Sequence, residues 1–170
     1  MSNMIEGLLI LSRATRTPLT TIPVALDTIA HNVMAELWEQ QPERRVEVNI
    51  DTDMSVNADP NLMESVVQNL LSNAWKYSAN QPNAEISFRQ DNREGERVFI
   101  VEDNGAGFDM RNANRLFNVF QRLHSDDEFD GLGIGLATTK RILHRHGGRI
   151  WADSVPGQGA SFMFTLPEGD

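Results

Sequence analysis

The middle of the chain constrains the fold most, because a long amphipathic helix is predicted there directly before two adjacent strands. Residues 60–77 repeat apolar side chains at helical spacing, and the proline at position 60 suits a first helical turn. The next apolar runs, AEISFRQDN and RVFIVEDNG, are separated only by a turn around residues 93–96, so they are predicted to pair as a hairpin. Since the apolar helix face must be buried, we expect it to pack on that sheet.

The rest of the chain is predicted to add to both layers. Helical spacing predicts helices over residues 3–16 and 24–40, and GLATTKRILHRHGG predicts a helix that two glycines end. Alternating patterns predict further strands in RRVEVNID, MSVNAD, RIWADSV and SFMFTLP. The predicted fold class is therefore an α/β (α+β) sandwich. A mixed, mostly antiparallel sheet of about five strands is backed by about three helices, with a short N-terminal helix.

Charge and cysteine content exclude several classes of function. The formal net charge of −9 argues against a nucleic-acid or anionic-membrane surface, which needs clustered lysine and arginine. The absence of cysteine excludes disulfides, thiolate metal sites and cysteine nucleophiles, and it fits a reducing compartment. No apolar run approaches the ~20 residues needed to span a bilayer.

One edge of the helix predicted over residues 60–77 carries polar side chains at successive turns. The apolar residues form a separate face of the helical wheel: Met63, Val67, Leu70, Leu71 and Ala74. Asn69, Asn73, Lys76 and Tyr77 occupy an arc of roughly 100° beside it. Amide oxygens suit a hard cation such as magnesium, and a lysine suits a phosphate. The same arc also fits a solvated helix edge, so this pattern alone leaves both interpretations open.

A carboxylate followed by two glycines ends the strand in VFIVEDNGAGF. Asp103 at this strand end could accept a hydrogen bond from a ligand, while Gly105 and Gly107 let the backbone pass close by. An ordinary Asp-Asn-Gly turn has the same sequence, so the motif alone does not decide between them.

Three alternating glycines precede a predicted helix in FDGLGIGLATTK. Gly131, Gly133 and Gly135 permit close backbone approach, and the helix that follows presents unpaired N–H groups and a positive dipole end. Together these features suit phosphate binding. The spacing is neither that of a P-loop nor that of a dinucleotide fingerprint, and a flexible hinge is the alternative.

Taken in order, these motifs resemble the ATP-binding domain of bacterial sensor histidine kinases, in the GHKL superfamily with the Bergerat fold. NLLSNAWKYS resembles the asparagine box, DNGAG the first glycine box, LFNVFQRLH the phenylalanine box that opens the ATP lid, and GLGIGL the second glycine box. HGGRIWADSVPGQGASFMFTLP resembles the closing strands, and the resemblance covers residues 44–168. FQRLH and HGGRIW are similar to the phytochrome-like branch.

The resemblance implies that the chain binds ATP and Mg²⁺. It implies Asn73 as the principal magnesium ligand with Asn69 beside it, Lys76 on phosphate and Tyr77 against adenine. It implies Asp103 as acceptor of the adenine amine, which selects ATP over GTP. The residues implied around the nucleotide also include Gly105, Gly107, Gly131, Gly133, Gly135 and Leu136. Arg122, in a lid over residues 121–130, is implied to reach the γ-phosphate, although a surface arginine is an equal alternative.

The resemblance also implies a division of the chain. Residues 1–17 are similar to the end of a dimerisation and phosphotransfer helix, and residues 18–170 to the catalytic domain. The family's acceptor histidine is followed by an acidic residue. The four histidines here lack that neighbour: His31, His124, His144 and His146. The implied protein is therefore a fragment of a cytoplasmic, homodimeric kinase. In it, γ-phosphoryl passes to a histidine of the missing dimerisation domain and then to a response regulator.

Two other functions stay open at this point. The fragment could bind nucleotide as a regulatory module without transferring phosphoryl, since the acceptor histidine is absent. It could also belong to another branch of the superfamily, such as a chaperone ATPase, a mismatch-repair ATPase or an anti-sigma serine kinase. The HGGRIW segment and the helix predicted at the start of the chain argue against all of these other branches.

Overall fold

The computed structural model describes residues 18–111, 117 and 135–167 of the 170. The described elements, in chain order, are β1 (Ile22–Ala25), α1 (Leu26–Gln40), β2 (Val46–Ile50), β3 (Ser55–Ala58), α2 (Pro60–Tyr77), β4 (Ala84–Arg93), β5 (Glu96–Asp103), α3 (Gly135–Arg145), β6 (Arg149–Ser154) and β7 (Ala160–Thr165).

The main sheet has five strands in the order β2-β4-β5-β7-β6. Only β2 and β4 are parallel, and the other three pairs are antiparallel. Helices α1, α2 and α3 cover one face, and their apolar side chains share a single core cluster with Phe88, Phe99 and Phe164 of the sheet. The predicted class, a mostly antiparallel sheet of about five strands backed by three helices, is confirmed.

A tight hairpin between β4 and β5 sets the register of the site. Glu94 and Gly95 both have positive φ, at 55° and 80°, as a two-residue type I′ turn requires. The register that follows pairs Ile86 with Asp103. Since Ile86 belongs to the core that the helices cover, Asp103 also lies on the helix side of the sheet.

Helix α2 has the limits that its sequence predicts. The Asp59 side chain caps its start by accepting hydrogen bonds from the backbone N–H groups of Asn61 and Leu62, at 3.1 and 3.2 Å. The predicted apolar face is buried, and Val66 and Trp75 are buried with it. The polar arc is thereby left on the edge of a helix whose orientation is fixed by packing.

The prediction of a helix from residue 24 was wrong at its start. Residues 22–25 form β1, which pairs antiparallel with β3, and α1 begins at Leu26. The backbone N–H of Leu26 donates to the Met54 carbonyl at 2.9 Å, so the pairing runs directly into the helix. The predicted strand MSVNAD therefore belongs to a separate two-stranded sheet. Propensity missed β1 because four residues with a proline carry little strand signal.

Some predicted elements lie outside the described residues: the helix over residues 3–16, the lid, and the phenylalanine-box segment apart from Phe117. Phe117 itself packs edge-on against Phe162 of β7, with ring centroids 6.4 Å apart. Among the helices that the structure describes, none has the length and apolar content to cross a bilayer.

Candidate functional site

The polar arc predicted on α2 lies at the edge of the helical layer. Asn69, Asn73, Lys76 and Tyr77 are all half-buried, while the residues beside them on the wheel are buried in the core. Asn69 reaches α3, where its amide nitrogen donates to the Gly135 carbonyl at 3.0 Å. Asn69 of the arc therefore contacts the start of α3, while Lys76 lies near the end of α1 and Arg44.

Asp103 ends β5 with its carboxyl group turned into the helix side of the sheet. The residue is only 6% exposed, and its Oδ1 accepts a hydrogen bond from the Gly105 backbone N–H at 2.8 Å. The pKa of this carboxyl is raised to about 6, mainly by burial and to a smaller extent by the neighbouring Glu102 charge. Backbone N–H groups of Gly105 and Ala160 oppose the rise. Among the described residues this carboxylate has no cationic partner, and such a buried group is suited to accepting a hydrogen bond from a neutral donor of a ligand.

The segment DNGAG, which resembles the first glycine box, is hydrogen-bonded to the end of α2. The Ala106 backbone N–H donates to the Tyr77 carbonyl at 3.0 Å. A Cβ on Gly105 would overlap that same carbonyl, so only glycine permits the approach. Gly107 has a φ of +67° and lies against the Val155 carbonyl, where a side chain would also clash. The strand end that carries Asp103 and the helix end that carries Tyr77 thus form one unit.

A cavity of about 460 Å³ lies at the end of the sheet beside Asp103, which is part of its lining, and it is a competing location for a ligand. Its lining includes the carboxylates of Glu85, Glu102 and Asp153. A polyphosphate would be repelled there, because like charges at close range are unfavourable. The helix-side site combines one buried carboxylate with amides, a lysine and a helix N-terminus, and it is the better match to a nucleotide.

The glycines that the sequence predicts to bind phosphate are only partly described. Gly135 begins α3, and the buried Leu136 follows it in the first turn, where backbone N–H groups lack partners within the helix. Gly131, Gly133 and Arg122, with the lid over residues 121–130, lie outside the described residues. The described part of the site therefore provides the anion-binding helix end but not the glycine loop before it.

No group of three or more histidine, cysteine or acidic side chains in the described residues could hold a metal ion. A cation at this site would instead take amide oxygens from the polar arc and oxygens from a bound phosphate, which is the ligand chemistry that Mg²⁺ uses with nucleotides.

Sequence reasoning missed Arg44, which anchors the last turn of α2. Its guanidinium donates to the Trp75 carbonyl and, at 2.9 Å, to the Ser78 hydroxyl, and it lies 4.3 Å from the centroid of the Trp75 ring. Burial lowers the pKa of this guanidinium. The same turn carries Lys76 and Tyr77. The contacts of Arg44 with Trp75 and Ser78 therefore help to fix the position of both residues. These contacts span 31 and 34 residues along the chain, so no local pattern could have revealed them.

Two tryptophans pack against each other beside this turn. Trp38 and Trp75 pack edge-to-face with centroids 5.6 Å apart, and the Trp75 indole N–H donates to the Gln41 side chain at 2.5 Å. The Trp38 indole N–H donates to the Arg44 carbonyl at 3.1 Å. The end of α1 and the loop after it therefore support the site without entering it.

A family model and two sensory proteins match most of the chain. The profile of a family described as histidine kinase-, DNA gyrase B-, and HSP90-like ATPase matches residues 58–170. The chain is 37% identical over 142 residues to the phytochrome-like protein Cph1 of a Synechocystis species, covering 84% of this chain and 19% of Cph1. It is also 37% identical over 173 residues to the adaptive-response sensory kinase SasA of Trichormus variabilis, covering 98% of this chain and 43% of SasA.

The fold is shared with the solved structure of full-length ShkA in complex with AMPPNP. The TM-score is 0.77 at 21% sequence identity, over 98% of this chain and 36% of ShkA. The chain thus spans less than half the length of each of these three proteins.

Proposed function

Because the chain belongs to the histidine kinase-, DNA gyrase B- and HSP90-like ATPase family, we propose that it binds Mg-ATP as the catalytic domain of a sensor histidine kinase. The observation that carries the proposal is that the end of β5, the end of α2 and the start of α3 are connected by hydrogen bonds. The buried Asp103 carboxyl lies at the end of β5, which is fastened to the amide-bearing end of α2. That edge of α2 in turn contacts the start of α3.

Each described residue has a role that its chemistry suits. Asp103 accepts the exocyclic amine of adenine, and Tyr77 lies against the base. Lys76 contacts phosphate as a point charge, while the backbone N–H groups at Gly135 and Leu136 bind phosphate oxygens. Asn73 ligates Mg²⁺ through its amide oxygen, with Asn69 beside it. When bound, Mg²⁺ neutralises charge on the phosphates, as in phosphoryl transfer generally.

The remaining assignments belong to this proposal as well. Gly105 and Gly107 keep the strand end open beside adenine, Gly131 and Gly133 complete the phosphate loop, and Arg122 reaches the γ-phosphate from the lid. Residues 1–17 are assigned to the dimerisation and phosphotransfer domain, and residues 18–170 to the catalytic domain.

The proposed physiological reaction needs a longer, homodimeric chain. There the γ-phosphoryl group passes from ATP to a histidine of the dimerisation domain and then to a response regulator, in the cytoplasm, where ATP is supplied. The names of the relatives support this context, since SasA is an adaptive-response sensory kinase. AMPPNP in the ShkA structure supports a nucleotide as the ligand of this fold.

Incubation with γ-labelled ATP tests the proposal. The chain alone is expected to bind Mg-ATP and to form no phosphohistidine, because each of its four histidines lacks an acidic residue directly after it to take the proton as the ring nitrogen attacks. A chain that also carries the dimerisation domain is expected to be labelled on histidine. Phosphohistidine is recognised because it survives base and is lost in acid.

Each other destination of the label identifies a different function. Acid-stable label on serine would indicate a serine kinase, and rapid release of inorganic phosphate would indicate an ATPase. If the longer chain binds ATP but is not labelled, its function is that of a nucleotide-binding regulatory module. An acid-labile band from the chain alone would contradict the assignment of the acceptor to a separate domain.

A further inference from the structure

Two hydrogen bonds join helices α2 and α3, and a third, within α3, connects the two residues that accept them. The Asn69 side-chain nitrogen donates to the Gly135 carbonyl at 3.0 Å and to the Thr139 hydroxyl at 3.2 Å. The Thr139 hydroxyl donates its own hydrogen to the Gly135 carbonyl at 2.8 Å. Thr139 is fully buried, at 0% exposure. These bonds join the helix that carries the asparagine box to the first turn of the helix that follows the second glycine box.

The three bonds fix which end of the Asn69 amide faces α3. A carbonyl can only accept, so the atom next to the Gly135 oxygen must be the amide nitrogen. The Thr139 hydroxyl has a single hydrogen, which goes to the same carbonyl, so its lone pair accepts the second hydrogen of the amide. With both amide hydrogens directed at α3, the amide oxygen of Asn69 receives no hydrogen bond from α3.

We propose that Thr139 is a positioning residue that orients the Asn69 amide, so that the Asn69 oxygen is presented to the cation of bound Mg-ATP. The proposal rests on the proposed function, because it needs a cation beside the polar arc of α2. Thr139 itself does not touch the ligand. Without its hydroxyl, Asn69 keeps only the hydrogen bond to the Gly135 carbonyl, so its amide is held less firmly and its oxygen is presented for a smaller part of the time.

The neighbouring residue Thr138 provides a matched control. It is a threonine in the same helix and equally buried, at 2% exposure, but its hydroxyl has no hydrogen-bond partner among the residues that the structure describes. Replacing Thr138 by the isosteric valine removes an unsatisfied buried hydroxyl and leaves the Asn69 contacts in place. Thr138→Val and Thr139→Val therefore change the same atoms at adjacent positions, but only the second breaks the connection to Asn69.

Calorimetric titration with ATP, with and without Mg²⁺, distinguishes a role in orienting the Asn69 amide from a general destabilisation of the site. Thr139→Val is expected to lower Mg-ATP affinity about five- to thirty-fold, or about 1–2 kcal/mol, while metal-free ATP affinity changes less than about twofold. Thr139→Ser keeps the hydroxyl and is expected to restore Mg-ATP affinity. Thr138→Val is expected to bind like the unmodified chain and to melt at the same or a higher temperature.

Three outcomes would overturn the proposal: equal losses with and without Mg²⁺ in Thr139→Val, no loss in a folded Thr139→Val, or failure of Thr139→Ser to restore binding. If the unmodified chain itself gained no affinity from Mg²⁺, the proposed function would fail instead, and the two failures are distinguishable.

A measurement on the unmodified chain covers the case in which Thr139→Val does not fold. Both side-chain amide hydrogens of Asn69 are committed to acceptors, so they are expected to exchange with solvent much more slowly than those of Asn61, which is exposed on the same helix. Exchange from Asn69 as fast as from Asn61 would contradict the orientation on which the proposal depends.

Discussion

Asp103→Asn is expected to stabilise the nucleotide-free chain at neutral pH and to weaken its binding of ATP. The pKa of Asp103 is raised from an ordinary 3.8 to about 6, mainly by burial. Keeping this carboxylate charged in the folded state therefore costs roughly 2–3 kcal/mol at pH 7, at about 1.4 kcal/mol per tenfold change in the ionisation constant. Asparagine keeps an oxygen to accept the Gly105 N–H but carries no charge.

The pH dependence of this stabilisation has a defined direction. Below about pH 4 the carboxyl is protonated in both the folded and the unfolded chain, so its burial does not lower the free energy of unfolding. Between about pH 4 and pH 6 the unfolded chain ionises first, and the stability contributed by the protonated form is lost as the pH rises. Urea unfolding should therefore show Asp103→Asn more stable than the unmodified chain at pH 7.5, with the difference shrinking toward pH 4.

Nucleotide binding is expected to change in the opposite direction. Loss of a hydrogen bond to a charged acceptor is worth roughly 1.5–3 kcal/mol, which is about a 10- to 150-fold drop in ATP affinity, and the preference for ATP over GTP should shrink. The unmodified chain should also bind ATP more weakly as the pH falls below about 6, because a proton then occupies the acceptor. Asp153→Asn, exposed on β6, serves as the control and should change neither property. An unchanged ratio of ATP to GTP affinity in Asp103→Asn would remove this residue from base recognition.

Asn73→Ala is expected to weaken Mg-ATP binding by about 30-fold or more, while metal-free nucleotide binding changes little. The proposed role of Asn73 is to ligate the cation, so its removal acts only where the cation contributes to affinity. Titrations with and without Mg²⁺ measure the difference. Alanine is the strongest helix former, so the fold of α2 should be unaffected.

Gln68→Ala is the matched control for this substitution, because it removes an exposed side chain of similar chemistry from the same helix. It should leave both affinities unchanged. Equal losses for Asn73→Ala in the two titrations would exclude Asn73 as the magnesium ligand and would indicate a general disturbance of the pocket.

The parts of the fold that could be predicted are those with strong local signals. Helix α2 has a capping aspartate at Asp59, a proline in its first turn and an apolar stripe along its length, so its limits follow from sequence. The β4–β5 hairpin was predictable because its short turn separates two long apolar runs. The location of Asp103 at the end of β5 followed from the same runs.

The contacts that were missed join residues far apart in the chain. β1 pairs with β3 across 30 or more residues. Arg44 meets Trp75 across 31 residues, and Thr139 meets Asn69 across 70. No periodicity or motif encodes such pairs, since they depend on how α1, α2 and α3 pack together. Sequence patterns therefore predicted which residues face the candidate site, while the structure was needed to identify the residues that position them.

A crystal structure of the chain with Mg²⁺ and AMPPNP tests the central claim most directly. The account predicts that the adenine amine lies within hydrogen-bonding distance of the Asp103 carboxyl and that Mg²⁺ is bound by the Asn73 amide oxygen. It also predicts phosphate oxygens at the N-terminus of α3, next to Gly135. A nucleotide with its phosphates among Glu85, Glu102 and Asp153, or one whose base lies away from Asp103, would contradict it.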